Sequence, residues 1–149
     1  MTTQPSAVTG VDFVTVFVKD YDAATEFYGT LLGLPRSAQY GRLNGCEFET
    51  GSLTLQVMEA AAIGREFVPS THPIALHVDD VATAREALES HGVRFFGETI
   101  DSGVCHMAIF EDPDGNTLMF HNRYAPPSAA ADQSDSRGSE SGRPRRMTS

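Results

Sequence analysis

The residues able to do chemistry are few and scattered. Five histidines and two cysteines occur in 149 residues. Cys105 and His106 are adjacent, and a thiolate beside an imidazole makes a nucleophile and its base. On a strand, neighbouring side chains point to opposite faces, so this pair is expected to be split, with Cys105 a small buried side chain. Neither Cys46 nor Cys105 has the CxxC spacing of a zinc knuckle, and two cysteines are too few for a disulfide framework. Free thiols in a reducing compartment follow. His77 and His121 each occur in a strand-like run. There an imidazole could act as a general base, share a metal, or simply be solvated. Glu47 and Glu49 share one face of their strand and are expected on the outer, solvated surface rather than as a working carboxylate pair. His91 falls in the last turn of a helix and is read as structural.

The elements that position these residues repeat. Residues 11–18, rich in β-branched and aromatic side chains, read as a strand. Asp20 or Asp22 can cap the helix that follows. Ala24, Phe27, Tyr28 and Leu31 form its apolar face, and Gly33 ends it. Residues 74–78 open a second round, with Asp79 or Asp80 as cap, Val81, Ala84 and Leu88 as stripe and Gly92 as stop. With Val18 set over Val78, Asp20 falls on Asp80, Ala24 on Ala84 and Glu26 on Glu86. Short strand candidates follow each helix, near residues 36–40, 46–49 and 52–58 in the first half and 94–98, 105–111 and 117–122 in the second. Asp112-Pro113-Asp114-Gly115-Asn116 joins the last pair as a bulged hairpin turn. Each half is therefore β-α-β-β-β. One helix covers one face of a four-stranded sheet and leaves the other open. Two such modules, residues 9–60 and 70–124, are expected to form a curved eight-stranded mixed sheet around a concave cavity, an α+β fold.

Composition bounds the partners. A formal net charge of −9 argues against nucleic acid. No apolar run is long enough to cross a bilayer as a helix, and the polar first ten residues do not read as a secretory signal, so no membrane partner and a cytoplasmic location are expected. Residues 125–149 contain no Ile, Leu, Val, Phe, Tyr or Trp and are expected to be a disordered tail, with residues 1–8 a flexible start. Residues 143–146, Arg-Pro-Arg-Arg, are read as a solvated end rather than a docking motif.

Three stretches carry a family resemblance over about residues 9–124. They are Val18-Lys19-Asp20 leading to Glu26-Phe27-Tyr28 and Leu32-Gly33-Leu34, then Leu76-His77-Val78-Asp79-Asp80, then Phe110-Glu111-Asp112-Pro113-Asp114-Gly115-Asn116. Together they resemble the vicinal oxygen chelate superfamily, which includes glyoxalase I, extradiol dioxygenases, fosfomycin resistance enzymes and bleomycin-binding proteins. The resemblance implies metal ligands on four cavity-lining strands, at positions that here hold Phe13, Gln56, Pro73 and Met119. Phe and Pro offer no lone pair and Met sulfur is soft, so the usual metal centre is expected to be missing and no cofactor is expected. If those positions face inward, the lining is Phe13, Thr15 and Phe17; Thr54, Gln56 and Met58; Pro73, Ala75 and His77; and Thr117, Met119 and His121. His72, one residue off a ligand position, should face away.

The resulting expectation is a metal-free pocket for a small hydrophobic or aromatic molecule, with a cationic one favoured by the acidic surface. The alternatives are a metal-independent lyase or isomerase using His77 or His121 for proton transfer, and a metal-dependent lyase or dioxygenase with rearranged ligands. The resemblance also implies a homodimer.

Overall fold

A computed structural model describes residues 5–126. The tail expected after residue 124 thus lies almost wholly outside the described residues, as do residues 1–4 of the flexible start. Chain order is β1 (Phe13–Val18), α1 (Tyr21–Glu26), β2 (Arg36–Gln39), β3 (Gly45–Glu49), β4 (Thr54–Glu59), β5 (Ile74–His77), α2 (Val81–Glu89), β6 (Phe95–Asp101), β7 (Cys105–Glu111) and β8 (Thr117–Arg123). Asp20 and Asp80 are the caps: their side chains accept from Ala23 N at 3.0 Å and Thr83 N at 3.2 Å. Gly33 and Gly92 take the left-handed conformation that stops each helix, with φ of 71° and 85°.

The two modules have the same topology. Their strand orders are β1-β4-β3-β2 and β5-β8-β7-β6, each with one parallel pair at the edge and two antiparallel pairs. The fold is α+β with two β-α-β-β-β modules. The eight strands divide into two four-stranded sheets rather than running on as one ladder. Side chains of the β7–β8 turn take the backbone groups where the modules meet. Asn116 Nδ2 donates to Phe17 O at 2.8 Å, and Asp114 Oδ2 accepts from Lys19 N at 2.7 Å and Asp20 N at 3.0 Å. Pro73, just before β5, has no N–H to offer a neighbouring strand.

Each sheet sends alternate side chains to one shared core. Val16 and Val18 of β1, Leu55 and Val57 of β4, Leu118 and Phe120 of β8, and Ala108 and Phe110 of β7 are all buried there. Each large side chain so buried is worth about 1.5–3 kcal/mol relative to exposure. The helix after β1 widens into a π-helical turn over Phe27–Leu31, with Leu32 N donating to Phe27 O at 2.9 Å. Phe27 and Tyr28 are both buried as a result. Phe27 then meets Phe110 of the second module, ring centroids 6.3 Å apart, and Tyr28 Oη donates to Asp112 at 2.8 Å. Cys46 and Cys105 are free and buried.

Candidate functional site

Because the even-numbered residues of β1 and the odd-numbered ones of β4 point to the core, Phe13, Thr15, Phe17, Thr54, Gln56 and Met58 lie on the opposite, open face of the first sheet. The register pairs Phe13 with Thr54, Thr15 with Gln56 and Phe17 with Met58. Phe13 is half exposed, and the Arg65 guanidinium lies 4.9 Å over the Phe17 ring.

Glu47 and Glu49 correct the expectation of an outer-surface position. β3 sends Cys46 and Phe48 into the core, so its glutamates face the other way. Directly opposed residues of an antiparallel pair share a face, and Glu47 pairs with Gln56 and Glu49 with Thr54. Both carboxylates therefore stand among the expected lining residues.

A hydrogen-bonded row crosses this face. Thr15 Oγ1 donates to Gln56 Oε1 at 2.6 Å, Gln56 Nε2 donates to Tyr40 Oη at 3.0 Å, and Tyr40 Oη donates to Glu47. Burial, and then the bond to Glu47, raise the Tyr40 phenol above its ordinary pKa, so it stays protonated. Glu49 accepts from Ser37 and, at 2.9 Å, from Thr54 Oγ1. Those bonds hold its carboxyl below the usual range. Tyr40 was missed by the sequence reading, since it follows a short edge strand with no periodic signal. Gly45 makes room for it: a Cβ there would lie 2.8 Å from both the Tyr40 ring and the Met58 sulfur.

The open face of the second sheet is built the same way and is more apolar. Ala75 pairs with Met119, which in turn pairs with Ile109. His77 pairs with His121, and His121 with Met107, so the two histidines occupy one row. His77 is largely exposed, its Nε2 3.3 Å from Asp79 Oδ1. Thr117 opens β8, paired with Glu111. Cys105 and His106 separate as expected. Cys105 is buried, whereas His106 reaches Asp101 at 3.4 Å and packs on Tyr124. His91 bonds Ala87 O through Nδ1 at 3.0 Å, at the end of α2.

Thr15, Pro73 and Thr117 meet in a cleft of about 190 Å³ where β1 and β5 approach. His72 lines that cleft too, against expectation. The chain before Ile74 is not a strand, so alternation does not govern it. Ala75 and His77 border a separate cavity of about 200 Å³ walled by Leu34, Leu53 and Phe120. Larger clefts of about 520 and 530 Å³, beside Phe27 and beside Asp20, contain none of the expected residues. None of these four spaces unites Gln56 with Met119, which belong to different sheets.

The model of the Glyoxalase/Bleomycin resistance protein/Dioxygenase superfamily matches residues 10–120. The chain belongs to this superfamily. It is 27% identical over 123 residues to YwbC of Bacillus subtilis (strain 168), covering 76% of this chain and 97% of that one. Among solved structures, SMU.1112c superposes with a TM-score of 0.64 at 26% identity, over 77% of this chain and 99% of that one. TnmS3, an antibiotic binding protein from Streptomyces sp. CB03234, has a TM-score of 0.65 at 22% identity, over 80% of this chain and 99% of that one.

As a glyoxalase-superfamily member, the chain can be tested for the metal that the resemblance implies. The four positions hold Phe13, Gln56, Pro73 and Met119. Gln56 is the one hard-donor side chain, and its Oε1 accepts from Thr15 Oγ1. Among the described residues no three His, Cys, Asp or Glu side chains converge as ligands. This donor set does not fit a divalent cation, which needs about three protein ligands of N, O or S type.

Proposed function

We propose that this superfamily member binds a small hydrophobic or aromatic molecule against the open faces of its sheets, without a metal. The row Thr15–Gln56–Tyr40–Glu47 carries the reading. A residue at a metal-ligand position is here locked into a polar network between aromatic walls. Phe13, Phe17 and Met119 supply apolar and polarisable surface, while the row supplies orientation. The antibiotic-binding role of TnmS3, on the same fold, supports a binding rather than a metal-centred reading. We also propose a homodimer, and a cytoplasmic setting in keeping with two free thiols.

A thermal-shift panel of aromatic and polycyclic molecules tests this, with Zn²⁺, Mn²⁺ and Ni²⁺ as a second arm. A ligand at about 100 times its Kd adds roughly 2.7 kcal/mol. An organic ligand that raises Tm by several degrees, with no shift from the ions, is expected. A metal shift alone would refute the reading.

The His77–His121 row favours a second reading, proton transfer on a bound carbonyl compound without metal. Replacing both histidines by Gln separates the two. A binder keeps its affinity, whereas an enzyme loses turnover.

A further inference from the structure

We infer that the ligand is a hydrogen-bond-donating cation, a protonated amine or amidine on an aromatic body, and that Glu47 selects for it. This rests on the binding role proposed for the first module's open face and specifies the chemistry that face accepts.

The row has a direction. The Tyr40 phenol, kept protonated, donates to a Glu47 carboxylate oxygen. The Tyr40 oxygen can then only accept from Gln56, which fixes the amide with Nε2 toward Tyr40 and Oε1 toward Thr15. Thr15 must in turn donate its hydroxyl proton to Oε1. Both hydroxyl protons of the row are thus committed inward. What remains for a ligand is a set of acceptors: lone pairs on Thr15 Oγ1 and Gln56 Oε1, and the free oxygen of Glu47. One amide N–H of Gln56 is the remaining donor.

The neighbouring row has the same polarity. Ser37 and Thr54 both donate to Glu49, and this holds Glu49 ionised. Neither glutamate forms an ion pair with a described residue, since the ion pairs present are those of His77, Arg85 and His106. The aromatic wall beside them already accommodates a cation, because Arg65 stacks on Phe17 from the linker between the modules. An anionic or acceptor-rich ligand would meet carboxylates and lone pairs. A cationic donor would complete them with charge-assisted bonds.

Three probes sharing one ring system test this: naphthylmethylammonium, naphthylmethanol and naphthoate, titrated calorimetrically up to about 1 mM. The ammonium is expected to bind at least about tenfold more tightly than the alcohol, with naphthoate weakest. Glu47→Gln should erase that preference, bringing the ratio of ammonium to alcohol affinity down to about one. Glu47→Asp, which keeps the charge, should restore part of it. A matching circular dichroism melt shows that each variant is folded, and the ratio of affinities is a readout that a merely structural glutamate would not move. Equal binding of all three probes, or a preference that survives Glu47→Gln, overturns the inference and leaves the binding role standing. Failure of every probe to bind the unaltered protein overturns both.

Discussion

Tyr28→Phe removes one oxygen and is expected to weaken the joint between the modules. Tyr28 is fully buried, and its phenol donates at 2.8 Å to Asp112, itself only 4% exposed. The other partners of that carboxylate are Asp114 N and Asn116 N, both at 2.9 Å on Oδ1, and Asn116 Nδ2 at 2.8 Å on Oδ2. The substitution leaves Oδ2 with Asn116 alone. A hydrogen bond to a charged group contributes about 1.5–3 kcal/mol, and a buried acceptor left short of donors sits at the upper end of that range. For a domain of this size roughly 3–5 °C accompanies each kcal/mol, so the melting midpoint should fall by about 5–15 °C. Urea denaturation at pH 7 and a thermal melt, both followed by circular dichroism, read this directly. Asp112→Asn should cost more, because its amide N–H groups would face donors that now find a carboxylate. A loss below about 0.5 kcal/mol for Tyr28→Phe, with an unchanged urea slope, would refute the claim that this bond couples the two halves.

The same tyrosine gives an alkaline limit. Burial, then the charge of Asp112, push the Tyr28 phenol well above 10, and burial also raises Tyr21. A raised folded pKa keeps its stabilisation below the unfolded pKa of about 10 and loses it as pH climbs from there toward the folded value. Stability should therefore be flat across neutral pH and fall above about pH 10, less steeply in Tyr28→Phe. Melts from pH 7 to 11 measure this. Gly45→Ala should displace Tyr40 or Met58, since the new Cβ would stand 2.8 Å from each, at a cost of about 1–3 kcal/mol. Aromatic near-ultraviolet circular dichroism should change with it, and a variant as stable as the parent with an unaltered spectrum would count against the packing described.

The modular plan was legible because its signals are local. Asp20 and Asp80 cap what they precede, and Gly33 and Gly92 adopt the positive φ that stops a helix. Period-two alternation also identified which residues of β1, β4 and β8 share a face. It did not say what that face opposes. Glu47 and Glu49 were correctly paired with each other yet assigned to the outside, because a strand's own pattern separates core from non-core and nothing more. The sheet has helices on one side and an open face on the other, so non-core here means that open face. Tyr40 was invisible for a related reason. Its partners Gln56 and Glu47 come from β4 and β3, and register between strands is not a local property. The joint between the two sheets likewise rests on Asn116 reaching Phe17, 99 positions earlier in the chain.

That last bond bears on how the protein is made. The carbonyl of Phe17 and the amides of Lys19 and Asp20 wait for partners 94 to 99 positions downstream. During synthesis the amino-terminal half emerges first and must persist with its opening strand unlatched until the final hairpin leaves the ribosome. Nucleation that relies on such distant closure is slow, and the interval exposes an unfinished edge to neighbouring chains. Nascent chains halted before residue 112 should accordingly be the aggregation-prone species, while those a dozen residues longer close on themselves.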